Sequence, residues 1–537
     1  MPRVLRVPVL VVGAGAAGLA TSAVLAQHGV RSLLVEKRRE TFVYPKARNL
    51  SFRSLEILRG LGLGDEVHAV AEHVSEMISK PALNSAEEYP GMDVDAVFGG
   101  LEHLSPEPTA QYCPQSRLEP ILLAAVRRHG NDVRYATELS SFECDDTGVT
   151  AILRDVASGE SQTVRAGYLV AADGVRSPVR ESLGVTTSGY GAVPIFFVFI
   201  YFRAPWRQFV PHLGDGDAVQ VQNPDVEGIF VVVQGDLGVF MTTYFPDKGE
   251  TAEQFTRQRC AQILTKAIGQ RIDLEIVDVA TWQPYEQVAD QFQCGRVFFV
   301  GDSGHTMPPF KGGGANAAIQ SAHNLAWKLA AVLNRIAEPG LLATYDAERR
   351  PVGRFSARQS LTGPSLAFLR LDENRPRLPP EDEAPMFALL VGYQYRSAAV
   401  VSDKPIPTDP DSVSLVDDLR GQPGTRVPHV WVRRNGKRLS TLDLLGPRFT
   451  LLTGDDGTAW SDAAVSVSTA MDVPIRLQRI GSAVDAYGAW AATTGLAPDG
   501  ALLVRPDDFV GWRADGLPAD PKNQLRKVMC QVLGRRQ

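Results

Sequence analysis

The first segment of the chain carries the feature that most restricts its fold. An apolar run, Val9–Val12, leads into the turn Gly13-Ala14-Gly15-Ala16-Ala17-Gly18 and then into small, helix-forming residues. A second apolar run, Ser32–Val35, ends at Glu36, about 20 residues after the glycines. A strand, a Gly-x-Gly-x-x-Gly turn, a helix, a strand and an acid in this order predict a βαβ unit that binds a dinucleotide.

The glycines and the acid have separate roles in such a unit. Gly13 allows the tight turn, Gly15 lets backbone amides approach a pyrophosphate, and Gly18 lets the helix pack on the sheet. The Glu36 carboxylate is expected to accept hydrogen bonds from the adenosine ribose. The predicted contacts at this first site are Gly13, Gly15, Ala16, Ala17, Gly18, Glu36 and Lys37.

The same segment has an alternative interpretation as an exported or membrane-spanning sequence. Val7–Ala26 carries no charge and follows Arg3 and Arg6, as a signal peptide does. The glycine spacing, the abundance of Ala over Leu and the strand-forming residues that follow favour the βαβ unit.

A second glycine-rich loop lies far downstream. Asp302 follows an apolar run, and the chain continues through Gly312–Gly314 into a predicted amphipathic helix, Ile319–Leu333. A helix that begins after bare glycines offers backbone N–H groups to an anion or an oxygen-rich group. Two such sites in one chain predict a long dinucleotide held at both ends.

Composition limits the classes of function. With 537 residues, 44% of them hydrophobic, the chain is long enough for two or three domains. A net charge of −6 without a basic stripe argues against nucleic-acid binding. Five scattered cysteines predict inert core thiols in a cytoplasmic protein, without disulfides or zinc. His305 and His323 do not have metal-ligand spacing, and His323 is expected on the polar side of its helix.

The middle of the chain has a different character. Aromatic and β-branched runs between residues 190 and 285, separated by turn signals, predict an antiparallel sheet inserted into the first domain. Its aromatic residues would suit an apolar pocket for a flat ligand, and core packing explains most of them equally well. These residues are Phe196, Phe197, Phe199, Tyr201, Phe230, Phe240 and Tyr244.

Three motifs together resemble those of a known family. They are the first glycine turn with Glu36, Asp173-Gly174 within AADGVRSPVR, and GDSGHTMPPFKGGGANAAIQSAHNLAWKL from Gly301 onward. Over roughly residues 5–365 the chain is similar to the single-component FAD-dependent aromatic hydroxylases, the para-hydroxybenzoate hydroxylase-like group A flavoprotein monooxygenases. The tail, with VPHVWVRRNGKRLSTLDLLG, resembles the thioredoxin-like C-terminal domain of large members such as phenol hydroxylase-like enzymes and anthracycline (aklavinone) hydroxylases.

The resemblance implies an α/β fold in three parts. These are an FAD-binding Rossmann-like domain, an inserted antiparallel-sheet substrate domain and a C-terminal thioredoxin-like α/β domain without a Cys-x-x-Cys motif. The predicted boundaries are 1–75, 110–188 and 285–365 for the FAD-binding domain, 76–109 and 189–284 for the substrate domain, 366–411 for a helical linker, and 412–537 for the thioredoxin-like domain.

The resemblance also implies which residues hold FAD. Asp302 would bind the ribityl hydroxyls, and Arg48 or Lys46 would lie near the flavin or the ribityl phosphate. The further contacts that it implies are Gln115 and Arg117 at a helix start, Asp173 and Gly174 in the motif that also borders the pyridine-nucleotide path, and Pro309, Gly312, Gly313, Gly314, Ala315 and Asn316 around the isoalloxazine ring.

Two departures from the family pattern stand out. Phe310 and Lys311 intervene between the prolines and the glycines, and Ser321 replaces a common Asp in the following helix. One hypothesis is that Lys311 places a cation near the pyrimidine end of the flavin, where it would favour the reduced anionic form.

The function implied by the resemblance is an FAD- and NAD(P)H-dependent monooxygenase. O2 would form a flavin hydroperoxide that hydroxylates an aromatic, polyketide-type substrate in specialised (antibiotic) metabolism. Tyr393 and Arg396 are candidates for orienting a phenolate, with a structural loop as the alternative. The expected partner is a small aromatic molecule, with no nucleic acid, membrane or metal, and with a monomer or homodimer both open.

Three other functions remain open at this point. A Baeyer–Villiger or epoxidising monooxygenase would share the same scaffold. A flavin halogenase is disfavoured because its Trp-x-Trp-x-Ile-Pro signature is missing. A non-oxygenating flavin-binding scaffold protein is the alternative from outside enzymes.

Overall fold

The computed structural model describes residues 4–41, 49–73, 76–93, 99–363, 383–485 and 488–536, and its first layer is a largely parallel sheet. This N-terminal sheet is centred on Leu5–Val12, whose last four residues are buried. Its strands are, in spatial order, Gln293–Cys294, Val297–Phe299, Ser161–Ala171, Leu5–Val12, Ser32–Val35 and Asp132–Arg134, with Gly148–Asp155 and then Thr137–Asp145 attached to Ser161–Ala171.

The two faces of the N-terminal sheet pack against different layers. Val9 and Val11 belong to a core shared with the helices, whereas Leu10 and Val12 belong to a core shared with the Gly148–Asp155 strand. Parallel strands covered on both faces in this way consist of continuous apolar residues, as the sequence predicted. The helices of the described chain are Ala16–Gln27, Phe52–Gly60, Gly64–His68, Gln115–Arg128, Pro178–Ser182, Arg257–Ile268, Gly313–Leu333, Ala343–Gln359, Met386–Leu390, Thr458–Met471, Ala489–Thr494 and Pro521–Val532.

The inserted sheet forms a separate layer. Its strands are, in spatial order, Glu275–Trp282, Phe196–Arg203, Leu237–Tyr244, Glu227–Gln234, Ala218–Gln222, Glu76–Lys80 and Tyr89–Asp93. All neighbours are antiparallel except Ala218–Gln222 and Glu76–Lys80, which run parallel. The sequence did not predict this parallel pairing, because it joins strands that are distant along the chain. The helix Arg257–Ile268 covers one face, through Cys260 and Leu264.

Smaller sheets connect these layers. Thr187–Ala192 pairs with Tyr285–Ala289, which pairs in turn with His305–Thr306 of the second glycine-rich loop. This pairing ties the inserted sheet to that loop. The other short pairs are Asn49–Ser51 with Ala110–Tyr112, Tyr393–Gln394 with Ser414–Leu415, and Trp431–Arg434 with Lys437–Ser440.

The C-terminal region has a sheet of its own. Its strands are, in spatial order, Ile475–Arg479, Phe449–Thr453, Ala501–Val504 and Val510–Ala514, the first pair parallel and the others antiparallel. The helices Thr458–Met471 and Pro521–Val532 pack on it. This mixed sheet with helices is the arrangement expected for a thioredoxin-like domain.

Two expectations about burial are wrong. The helix Gly313–Leu333 begins before its predicted start and is buried on nearly all sides, because the C-terminal region covers its outer face through Trp327 and Phe449. His323 is therefore buried, not on a polar surface, and burial lowers its pKa to about 3. Cys144 is exposed, so it is not a core thiol.

Over the described ranges, no helix combines the length and apolar character needed to cross a membrane.

Candidate cofactor and substrate site

Two glycines in the turn after the first strand lie where a side chain would not fit. Gly13 has φ +106°, and a Cβ there would lie 2.2 Å from the carbonyl oxygen of Ala172. A Cβ on Gly18 would lie 1.9 Å from the carbonyl oxygen of Gly13. The helix that follows is preceded by Gly15, which has no side chain to cap it. Its first N–H groups are thus presented to a ligand, as at an anion site.

Glu36 lies against this turn. Its Oε2 accepts a hydrogen bond from the Ala14 N–H at 2.9 Å, and its Oε1 accepts one from the Arg38 N–H at 2.9 Å. The side chain is largely buried, whereas that of the neighbouring Lys37 is exposed. The acid predicted from spacing therefore lies beside the glycine turn.

The second glycine-rich loop meets the first helix. Gly301 has φ +67°, and a Cβ on it would lie 2.8 Å from the Cβ of Ala17. The buried Ser303 hydroxyl donates to the carbonyl oxygen of Ala171 at 2.6 Å, and the neighbouring Asp302 is exposed. Two motifs that are distant in sequence therefore meet at the carboxyl ends of two parallel strands, Leu5–Val12 and Val297–Phe299, which flank Ser161–Ala171. The carboxyl ends of strands are where α/β sheets bind ligands.

The long helix after this loop also begins on glycines. Gly312 has φ +62° and precedes the helix without a capping side chain. A Cβ on Gly312 or on Gly314 would meet nothing within 4 Å. The backbone at this end is therefore open to a ligand that approaches closely.

The aromatic residues of the inserted sheet lie on both of its faces. Four of the seven predicted pocket residues pack in the core beneath the Arg257–Ile268 helix: Phe196, Phe230, Phe240 and Tyr244. The other three, Phe197, Phe199 and Tyr201, lie on the opposite face. Trp282 lies beside them, 38% exposed, with its ring 5.8 Å from that of Phe197 and 6.3 Å from that of Phe199.

This second face lies next to the glycine-rich loop. Phe197 packs against a cluster that contains Leu361, the residue before Thr362. The Thr362 hydroxyl accepts a hydrogen bond from Lys311 Nζ at 3.0 Å, and Lys311 directly precedes Gly312. A flat apolar wall and an open glycine backbone are thereby brought together.

Comparison with known proteins identifies the family. A family model described as FAD binding domain matches residues 6–360, and one described as aromatic-ring hydroxylase, C-terminal, matches residues 420–536. This chain belongs to that family of FAD-binding aromatic-ring hydroxylases. The predicted family, fold class and FAD cofactor are confirmed.

Known relatives match this hydroxylase over nearly its full length. It is 40% identical to tetracenomycin A2 monooxygenase-dioxygenase of Streptomyces glaucescens over 99% of this chain and 97% of the relative. It is 36% identical to 4-methyl-5-nitrocatechol 5-monooxygenase of a Burkholderia species, over 99% of both chains. The structure of aklavinone-11 hydroxylase with FAD and aklavinone superimposes with a TM-score of 0.87 and 35% identity, over 98% of this chain and 99% of that one. The hydroxylase is a monooxygenase, which uses O2 and a reduced nicotinamide.

The residues of the two glycine-rich ends fit FAD. Two helices begin without capping side chains at the same edge of the N-terminal sheet, which suits a diphosphate and the polar edge of a flavin ring. Gln115 lies beside the first glycine turn. A Cβ on Gly15 would be 3.7 Å from the Gln115 Nε2.

The side chain of Asn316 has hydrogen-bond partners on three segments of the protein. Its Oδ1 accepts hydrogen bonds from the Ser51 N–H at 2.9 Å and from the Ser54 hydroxyl at 2.6 Å. Its Nδ2 donates to the carbonyl oxygens of Asn49 and Gly312, at 3.0 and 2.8 Å. Asn316 therefore fastens the Asn49–Ser51 strand to the start of the long helix. Ala315 lies in the first turn of that helix, and Pro309 lies in the short 3₁₀ helix before it.

Arg117 and Asp173 are engaged within the protein. Arg117 donates to Glu72 at 3.0 Å and to Asp215 at 2.7 Å, so it links its helix to the inserted sheet. Asp173 accepts from the Ser177 hydroxyl at 2.6 Å and from the Val179 N–H at 3.1 Å, next to Gly174. Burial raises the pKa of Asp173. Both side chains therefore have partners within the protein, and a contact with the cofactor stays a prediction for each.

Tyr393 and Arg396 lie in the region where the C-terminal part meets the long helix. The Tyr393 hydroxyl donates to Gln320 Oε1 at 2.9 Å, and its ring stacks 5.9 Å from that of Phe509. Arg396 donates to Gln394 Oε1 at 2.7 Å. Because these contacts suit a structural role, a catalytic role for either residue stays a prediction.

Lys311 has partners that its sequence position did not reveal. Besides Thr362, its Nζ contacts Glu383 Oε1 at 2.8 Å. This carboxylate offsets the charge that was expected to act on the flavin. Lys46 and Arg48 lie outside the described residues.

Sequence reasoning missed a buried group of charges, here called the charge cluster. The Glu348 carboxylate contacts Arg505 at 2.6 Å and Lys328 at 2.7 Å, and Arg505 contacts Asp507 at 2.5 Å. The remaining members are Arg53, Glu56, Asp508 and Arg426. The signal available in the sequence was a Lys within an otherwise apolar helix pattern.

Proposed function

We propose that this hydroxylase inserts one oxygen atom of O2 into an aromatic, polyketide-type substrate in specialised metabolism, with NAD(P)H as reductant. The observation that carries the proposal is the half-exposed wall of Phe197, Phe199 and Trp282 beside the open backbone at Gly312. The relatives named for tetracenomycin A2 and aklavinone support a fused-ring substrate.

In this proposal the chain positions its ligands and excludes water. Bound FAD supplies the activation of O2. The rings of Phe197 and Trp282, tilted by 30° to one another, offer a flat substrate an apolar face. A wall of this kind keeps water from the reacting ring and so limits the loss of activated oxygen as hydrogen peroxide.

We also infer which residues hold the cofactor. The turn at Gly13, Gly15 and Gly18 binds the pyrophosphate, with Glu36 at the adenosine ribose. Asp302 binds the ribityl chain, and the loop at Gly312–Gly314 borders the ring. The proposed FAD-binding parts are 1–75, 110–188 and 285–365, and the proposed substrate-binding parts are 76–109 and 189–284, which contain all strands of the inserted sheet.

The direct test is oxygen transfer by the purified protein. Its flavin spectrum is recorded first, and NAD(P)H consumption is then followed with phenols, quinones and fused-ring polyketides under isotope-labelled O2. The expected result is faster NAD(P)H oxidation with one fused-ring compound and a single labelled hydroxyl in its product. A labelled lactone would indicate Baeyer–Villiger oxidation in place of hydroxylation, and a labelled epoxide would indicate epoxidation. Flavin without stimulation by any ring compound would refute the proposal.

A further inference from the structure

Arg349 is a buried cation with neutral partners. Its Nε donates to the Ser321 hydroxyl at 3.1 Å, its Nη1 to the Tyr395 hydroxyl at 3.0 Å, and its Nη2 to the Ala317 carbonyl oxygen at 3.3 Å. The side chain has no solvent exposure. Among the described residues, none of the carboxylates forms an ion pair with it.

The neighbouring charge cluster has no spare anion for Arg349. Its four cations are Lys328, Arg505, Arg53 and Arg426, and its four acids are Glu348, Asp507, Asp508 and Glu56. Each of these carboxylates is already in contact with a cation of the cluster. Arg349 is therefore an additional positive charge in this part of the interior.

An anion that forms nearby would be stabilised by this charge. A guanidinium does not lose its proton in proteins, and a buried ion without a partner costs several kcal/mol. Ala317 lies four residues after the helix start at Gly313, which at a rise of about 1.5 Å per residue is about 6 Å along the axis. The cation thus lies close beneath the backbone that borders the flavin ring in the proposed site.

Ser321 lies where a carboxylate could have paired with Arg349. Its hydroxyl is 3.1 Å from the Arg349 Nε, so an acid at this position would be within reach of the guanidinium. Ser321 supplies a neutral hydroxyl there, which also lies 3.1 Å from the His305 Nε2. Among the described side chains, the charge of Arg349 consequently has no carboxylate partner.

We propose that Arg349, which has no counter-ion among the described side chains, stabilises the negative charge that the flavin ring acquires on reduction. In that step the C–H bond of the nicotinamide breaks, its hydride adds to the oxidised ring, and NAD(P)⁺ leaves. No proton is taken up, so the reduced ring carries one negative charge. Arg349 acts on it through space, without touching the ring.

Sulfite binding tests this inference without substrate or reductant. Sulfite adds to an oxidised flavin ring and places a negative charge on it, and the adduct is followed by bleaching of the flavin absorbance. Ser321→Asp supplies a carboxylate to Arg349, and Ser321→Asn is the control of the same size without charge. We expect the dissociation constant for sulfite to rise about tenfold in Ser321→Asp and to change less than about twofold in Ser321→Asn. The flavin reduction potential should fall in Ser321→Asp.

Unchanged sulfite binding in Ser321→Asp would overturn the inference, and so would equal weakening in Ser321→Asn. If Ser321→Asp does not fold, Arg349→Gln and Arg349→Lys provide the same comparison: Lys keeps the charge and should retain sulfite binding, whereas Gln should lose it. Equal binding by these two variants would also refute the idea. The inference uses the proposed position of the flavin ring and is independent of the substrate. A wild-type chain that binds no FAD would instead refute the cofactor site.

Discussion

Removal of the central carboxylate of the charge cluster should destabilise the hydroxylase strongly. The two carboxylate oxygens of Glu348 accept from Arg505 at 2.6 and 2.8 Å and from Lys328 at 2.7 Å, all without solvent exposure. Burial alone would raise the pKa of Glu348, but the Arg505 and Lys328 charges outweigh it and hold the pKa below its usual range. The carboxylate is thus ionised, and its stabilisation is lost only as acid protonates it.

The substitution Glu348→Gln keeps the shape and removes the charge. Lys328 is then a buried cation without its closest anion, which costs about 3–5 kcal/mol. At about 2 °C per kcal/mol for a large domain, the melting temperature measured by calorimetry should fall by roughly 6–10 °C. The matched control is Glu66→Gln, which breaks an exposed pair with Arg128 and should move the melting temperature by about 1 °C or less.

A paired substitution separates charge from shape. If the loss in Glu348→Gln comes from the unpaired ammonium, adding Lys328→Met should restore part of the melting temperature, because it removes the buried charge. A melting temperature for Glu348→Gln within about 2 °C of wild type would refute the reasoning. Equal melting temperatures for the single and double variants would refute the attribution to Lys328.

Three further predictions follow from the geometry. Gly18→Ala should abolish the absorbance of bound flavin, because its Cβ would lie 1.9 Å from the carbonyl oxygen of Gly13. The control Gly60→Ala, whose Cβ would meet nothing within 4 Å, should keep that absorbance, and equal flavin binding by both variants would contradict the steric argument. Trp282→Ala should raise the KM for the aromatic substrate about tenfold and increase peroxide release, and Trp431→Ala, a similarly exposed tryptophan in the C-terminal hairpin, should do neither. Burial lowers the pKa of His323 to about 3, so between about pH 6.5 and pH 3 only the unfolded chain binds a proton there, and the free energy of unfolding falls by about 1.4 kcal/mol per pH unit. His323→Gln should therefore make the fall of the melting temperature with acid shallower, and an unchanged slope would refute this.

Local patterns in the sequence were sufficient to predict the glycine turn at the first end of the proposed cofactor site. The turn at Gly13 and the acid Glu36 follow from spacing within one βαβ unit, where steric and hydrogen-bonding requirements act between near neighbours. Five of the seven strands of the inserted sheet lie between residues 190 and 285, where an antiparallel sheet was predicted, because alternating and turn-forming residues are also local signals.

The roles of individual side chains depended on partners that are remote in sequence. Asn316 turns towards Ser51, 265 residues away, and Arg53 pairs with Asp508, 455 residues away. Neither partnership can be predicted from the sequence. A polar residue occupies the same position in a helix pattern whether its side chain contacts water, a ligand or another chain segment. His323 was misplaced for the same reason.

The sequence by itself therefore determined the βαβ fold at the first glycine turn, the FAD cofactor and the family, because each depends on short-range geometry that only a few residue types satisfy. The tertiary structure decided which aromatic residues face the glycine-rich loop and which charges are paired. It buried Arg349 without a carboxylate partner from the part of the chain that the structure describes, since burial and pairing are set by the elements that pack together.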